Sequence, residues 1–300
     1  MKRLLPFLSI LVLLACQKPN SPDKTALHWQ PTLSKSLVEF APGIISTGHE
    51  FAISFMPEMQ EVYFTRMDSN RRFFIYRSAF QNGDWQSPRP ASFSGRWRDA
   101  DPFVSPDGER LYFMSYRPFE EVDSVELENP HLWYVIRQGA SWRDAIPLDQ
   151  NIISEEFGEG FPSVDEQYNL YFPSMRRNGQ NDIWYSAFED GRYLTPVLLP
   201  PSVNDSSHSD SNPVIDPAGE RLFFYSAREG GYGEVDIYTS KRMPNGVWTE
   251  AQNLGTAINS AAVEYCPALS PDGKHLFFTR RALEGENPLR IYYRQTEGLY

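Results

Sequence analysis

Cysteine is scarce in this 300-residue chain: Cys16 and Cys266 are its only two, which excludes a disulfide-stapled scaffold. Histidine is nearly as rare. His28, His49, His131, His208 and His275 lie too far apart for any His pair with zinc-binding spacing, so no metal ligand set is read from them. The chain has no G-x-S-x-G nucleophile elbow, which argues against a propeller-capped serine peptidase, and no Walker or Rossmann glycine pattern; no cofactor is expected. Positive charge is in deficit, 28 Lys and Arg against 39 Asp and Glu, and a net charge of −11 argues against nucleic acid as a partner. Long hydrophobic runs are missing as well; the stretch Leu4 to Leu14, broken by Pro6 and Ser9, is too short to cross a bilayer stably as a helix.

What the chain has in quantity is turn-formers and aromatics: 24 Pro and 19 Gly beside 20 Phe, 16 Tyr and 7 Trp. That mixture predicts short strands joined by tight turns. An apolar fraction of 41% with 22% charged residues is that of a folded globular protein.

The N-terminus reads as an address. Lys2 and Arg3 precede the apolar run, which has the size of a signal-peptide core. It ends in Leu13-Leu14-Ala15-Cys16, which resembles a bacterial lipobox; the rival is an ordinary secretory signal with an incidental cysteine. The resemblance implies cleavage after residue 15 and lipidation of Cys16, and Gln17 resembles the sorting position of lipoproteins sent to an outer membrane. The expected location is the bacterial cell envelope, lipid-anchored, facing either the periplasm or the outside. Residues 16–36 lack apolar periodicity and read as a flexible tether, with the folded domain spanning 37–300. Cys266 falls inside an apolar strand pattern and reads as a small buried residue.

The domain repeats itself. Val104-Ser105-Pro106-Asp107-Gly108-Glu109-Arg110-Leu111-Tyr112-Phe113 has counterparts ending at Phe64, Phe172, Phe224 and Phe278, at intervals of roughly 50 residues. Pro sets the turn torsion and Gly supplies the left-handed position that closes a hairpin. A third strand follows in each copy (Phe74-Ile75-Tyr76, Leu132-Trp133-Tyr134, Asp182-Ile183-Trp184, Asp236-Ile237-Tyr238, Arg290-Ile291-Tyr292), then in four copies a glycine turn and an aromatic. Four short antiparallel strands per repeat predict an all-β propeller of five blades, or six should a degenerate copy escape the alignment. The fifth copy stops soon after Tyr293, so Leu37 to Phe40 is expected to supply its outer strand and close the ring. The pattern S-P-D-G-x-x-L-[YF]-F with its D-I-Y strand resembles the WD40-like, Pro-Asp repeat of TolB-type periplasmic propellers, over residues 37–300. That family's N-terminal α/β domain has no room here, so its partners do not transfer.

An acid stands three residues before the position that opens each inner strand: Glu50, Asp99, Glu159, Asp210 and Glu264, followed by Ile53, Pro102, Pro162, Pro213 and Pro267. Five equivalent carboxylates could ring a channel mouth and bind a cation, a basic peptide or a sugar; they could equally satisfy backbone N–H groups or a neighbouring blade's arginine. Arg117, Arg176 and Arg228, each in a Ser-x-Arg after the second strand, are expected as blade-to-blade partners of these acids, and Asp182 and Asp236 as turn or capping groups. Features that do not repeat are the better clues to function. They are the acidic insertion 118–130, the polar loop Ser202 to Ser209, and Trp97 between Arg96 and Arg98. The leading expectation is a non-catalytic, lipid-anchored module that binds an envelope protein or a peptidoglycan or glycan component. The alternative is a glycoside hydrolase using channel-mouth carboxylates, chemistry that needs unlike acids rather than equivalent ones.

Overall fold

The computed structural model describes residues 29–120, 124–154, 156–283 and 289–300, so Cys16 lies outside the described residues. Five small antiparallel sheets form a five-bladed β-propeller. Blade 1 runs Glu50–Phe55, Glu61–Met67, Phe73–Gln81 and Asp84–Trp85 from the inside out. Blade 2 runs Asp99–Val104, Arg110–Ser115, His131–Gln138 and Ser141–Trp142. Blade 3 is built from Ser163–Val164, Leu170–Ser174, Asp182–Ser186 and Val197–Leu198, and blade 4 from Asp210–Ile215, Arg221–Ser226, Asp236–Lys241 and Gln252–Asn253. Blade 5 takes Val263–Leu269, His275–Arg281 and Leu289–Gln295 from the C-terminus. Its outer strand is Val38–Glu39 from the N-terminal side, with Val38 opposite Tyr293 and Glu39 opposite Tyr292. The expected closure of the ring is thus observed.

The L-[YF]-F triplet explains how blades stack. Side chains alternate faces along a strand, so Leu111 and Phe113 pack with Tyr63 and Ile75 of blade 1, while Tyr112 turns the other way to pack with Val164 and Phe172 of blade 3. Leu222 and Phe224 pack on blade 3 and Phe223 on blade 5 in the same manner. Each blade–blade seam is therefore a wall of fully buried aromatics and leucines, each contributing roughly 1.5–3 kcal/mol by burial. The seam between blades 5 and 1 is reinforced by the N-terminal segment. Phe40 is fully buried among Phe55, Trp85 and Phe277. Trp29, within the stretch read as tether, stacks on Phe55 and lies edge-on to Phe40 and Tyr293.

The repeated turn does what its residues predict. Asp107 accepts from Ser105 Oγ (2.6 Å) and the Glu109 N–H (3.0 Å), and Asp272 repeats this with Ser270 and the Lys274 N–H. Gly108, Gly219 and Gly273 hold the left-handed position; in the two copies without that glycine, Met59 (φ 52°) and Tyr168 (φ 65°) adopt it instead.

Candidate functional site: the central channel

The five repeated acids are all buried, and each is locked to an arginine of its own blade. Antiparallel register sets Glu50 opposite Arg66 and Glu264 opposite Arg280, whereas Asp99 and Asp210 face Ser115 and Ser226. In blades 1 and 5 the facing arginine reaches the acid directly, Arg66 to Glu50 at 2.6 Å and Arg280 to Glu264 at 2.7 Å. In blades 2, 3 and 4 the arginine sits two residues beyond the serine: Arg117 to Asp99 at 2.8 Å, Arg176 to Glu159 at 2.6 Å and Arg228 to Asp210 at 2.8 Å. The same guanidinium also donates to a loop carbonyl just before the acid, at Ile44, Phe93, Ile152, Val203 or Ile258. Each guanidinium lies over the last aromatic of the repeated triplet in its second strand, Phe64, Phe113, Phe172, Phe224 or Phe278.

The expected blade-to-blade pairing of Arg117, Arg176 and Arg228 is therefore corrected: all three act inside one blade, clipping the entry loop onto the hairpin. Sequence reasoning missed Arg66 and Arg280, because they occupy the serine's position rather than the Ser-x-Arg position. Further donors complete each acid. Thr47 and the Gly48 N–H serve Glu50, Ser94 and Ser115 serve Asp99, and His131 with the Ser154 N–H serves Glu159. The Asp205 N–H serves Asp210, and Ser260 serves Glu264 through its hydroxyl and its N–H. Burial pushes the carboxyls of Asp99, Glu159 and Asp210 up, against the opposing pull of these partners. Among the opening residues of the third strand, Asp182 forms a two-pronged pair with Arg177, and Asp236 accepts from the N–H groups of Tyr232 and Gly233.

Two residues beyond each acid the chain does something else. Ala52, Asp101, Phe161, Asn212 and Cys266 all have positive φ, between 42° and 58°. In blades 1, 2, 4 and 5 the strand register slips at this point, so the inner strand carries a β-bulge. These five positive-φ residues line one central cavity of about 90 Å³, together with the residues that follow them and the turn prolines Pro57, Pro106, Pro217 and Pro271. Unlike the acids, the five are chemically different from one another.

Asp101 is the group to notice there. It is 3% exposed, and neither carboxylate oxygen has a hydrogen-bond partner. Burial raises its pKa to about 8, outweighing the opposing pull of the Phe161 backbone amide. The bulge spends Asp101's backbone on blade 1, its N–H donating to Thr65 Oγ1 at 2.9 Å. Gly160 leaves room beside it: a Cβ there would lie 3.1 Å from Met114 Sδ and 3.6 Å from Asp101 Oδ2. Asn212 accepts the Cys266 N–H at 3.3 Å and leaves its own Nδ2 unpartnered. The Cys266 thiol is pushed far up by burial and by Asp101, so it is a buried thiol, as its strand pattern predicts. The legible signal for this site was the residue just before each aligned proline (Asp101, Phe161, Asn212, Cys266), a column whose members differ.

Two of the non-repeated features, the acidic insertion and the segment around Trp97, meet at the rim of blade 2. Glu126 of the acidic insertion accepts from Arg98 Nε at 2.7 Å and from Arg72 at 3.1 Å, while Arg96 stacks on Trp97. Glu121 and Asp123 of that insertion lie outside the described residues. In the polar loop, Asp205 accepts from the Ser207 and His208 N–H groups, which makes it a turn-forming residue. Among the described residues no group of three His, Cys, Asp or Glu is placed to hold a metal ion.

No family model matches the chain, and no curated protein sequence matches it. Solved structures do. A TolB protein from Agrobacterium tumefaciens superposes with a TM-score of 0.54 at 16% identity, covering 84% of this chain and 80% of its own. A thermostable family-43 glycoside hydrolase gives 0.55 at 12% identity, covering 86% and 96%. The α-L-arabinofuranosidase of Lactobacillus brevis gives 0.53 at 13% identity, covering 86% and 94%. At these identities the likeness is one of fold: the chain shares its propeller with TolB-type proteins and with glycoside hydrolases alike.

Proposed function

We propose that this chain is a lipid-anchored, non-catalytic β-propeller of a bacterial envelope, binding an envelope protein or a peptidoglycan or other glycan component through its central channel. The observation that carries this reading is the contrast between the two columns. The repeated acids are consumed by the fold, one clip per blade, whereas Asp101 is a buried carboxyl with no arginine and no side-chain donor on its oxygens. An unpartnered buried carboxyl costs stability and no packing demand explains it, which is the mark of a group kept for a ligand.

A second reading, a carbohydrate-active enzyme, is favoured by one feature. A carboxyl held protonated near neutral pH is suited to act as a general acid. It ranks second because glycoside hydrolysis uses a pair of carboxyl groups, and among the described residues Asp101 is the only carboxyl lining the cavity.

The test is affinity capture from gently solubilised envelopes with the full chain, beside Asp101→Asn and Ala52→Leu, the latter filling the cavity. A partner captured by the native chain and lost by both folded variants supports the binding reading. Equal capture by all three contradicts a channel site. Arabinan or peptidoglycan hydrolysis that disappears in Asp101→Asn establishes the enzyme instead.

A further inference from the structure

The cavity joins an apolar wall to one ionisable group. Pro106, Pro217, Pro271, Phe103, Val214 and Leu269 supply much of the wall, and among the described residues no Lys or Arg lines it. Burial and the Phe161 backbone amide are what shift Asp101, with no charged partner acting on it, and the titratable groups that feel its charge are Cys266, Tyr265 and Tyr116, none of them a cation. An ionised Asp101 is thus a single negative charge awaiting a counter-ion that the fold does not provide. A divalent metal is a poor match, since it seeks six or more oxygens. The hydroxyls nearby are already engaged: Ser54 Oγ accepts the Val104 N–H, and Ser105 and Ser270 donate to Asp107 and Asp272. Sugars, dense in hydroxyls, find few polar partners on such a wall. A cation carried on a methylene stem suits both parts, stem against proline rings and charge against carboxylate.

We propose that the channel cavity is a site for a primary alkylammonium group, of the kind a lysine side chain or an aliphatic amine presents, with its ammonium seated on the Asp101 carboxylate. The unpartnered Nδ2 of Asn212 offers a donor to an acceptor elsewhere on the same ligand. This inference rests on the binding reading above and names the chemistry of its ligand. Protons balance simply. Asp101 enters as the neutral acid, the incoming R–NH3+ keeps its three protons, and the carboxyl proton leaves to solvent as the ion pair forms. Binding near pH 7 therefore releases close to one proton.

The experiment is calorimetry of the full chain in detergent with n-butylammonium chloride at pH 7, in two buffers of different ionisation enthalpy. Saturable binding with release of close to one proton is expected. Binding should weaken by about tenfold or more for n-butanol, for Asp101→Asn and for the cavity-filling Ala52→Leu, and proton release should vanish in Asp101→Asn. No saturable binding overturns the proposal, as does equal binding of n-butanol, unchanged binding by Asp101→Asn, or preference for calcium over the amine. The two readings fail separately. Channel-dependent capture of an envelope partner without amine binding sinks only the ligand class, whereas amine binding without any captured partner sinks the envelope-binding role.

Discussion

Asp99 and Asp101 lie two residues apart on one inner strand, both buried, and only one of them is satisfied. Asp99 accepts from Ser94, Ser115 and Arg117, while Asp101 accepts from no donor at hydrogen-bond geometry. The left-handed turn of the backbone at Asp101 (φ 58°) separates their surroundings, sending one carboxyl to the arginine clip and the other to the channel.

The clips should be structural. Asp99→Ala leaves Arg117, itself only 9% exposed, without its counter-charge, and breaking a buried pair from one side costs about 3–5 kcal/mol. Urea unfolding of Asp99→Ala and Asp210→Ala should show losses of this order. A loss under about 1 kcal/mol would mean the pairs are solvated.

The pH dependence of stability has a definite sign. The Asp101 carboxyl keeps its proton in the folded protein up to about pH 8, whereas the unfolded chain releases it near pH 4. Its contribution is fully present below pH 4 and is lost as pH rises toward 8, by at most roughly 1.4 kcal/mol per unit. Asp101→Asn removes this loss. Relative to the native chain, the variant should gain stability steadily between pH 4 and pH 8 when urea midpoints are compared. Burial also raises Asp99, Glu159 and Asp210, so the difference between the two proteins, not the native curve alone, isolates Asp101.

Ring closure depends on few residues. The N-terminal strand contributes Val38 and Glu39 only, so the burial of Phe40 carries much of the seam. Phe40→Ala should cost about 3–5 kcal/mol and lower the thermal midpoint accordingly. A negligible change would show that the seam holds without its clasp.

The rim pairs of Glu126 offer a contrast. Partial burial acts to raise this carboxyl, yet the hydrogen bonds and charges of Arg98 and Arg72 hold it below its usual range. These partners stand partly exposed at the rim, so Glu126→Gln should change stability by no more than about 1 kcal/mol, and less still in high salt.

Much of the fold was legible because the same packing problem is solved five times. The Ser-Pro-Asp-Gly turn stands whole in two hairpins and in altered form in the other three, and the triplet Leu111-Tyr112-Phe113 already encodes a strand with two buried faces. The early end of the fifth copy announced the clasp. The column of acids was legible too, but its partners were not: whether Arg66 or Arg117 reaches its acid depends on strand register and side-chain length, since the two occupy different positions in the repeat. The channel residues were hidden by the bulge. Strict alternation puts Asp99 and Asp101 on the same face, and only the left-handed backbone at position 101 separates them.

The most direct test is the titration of the Asp101 carboxyl itself, followed by carbon NMR in aspartate-labelled protein with Asp101→Asn fixing the assignment. A midpoint near pH 8, moving down when n-butylammonium is added, is the predicted result. A midpoint near the ordinary value of about 4 would contradict the account, because the carboxyl would then have water or a partner and no need of a ligand.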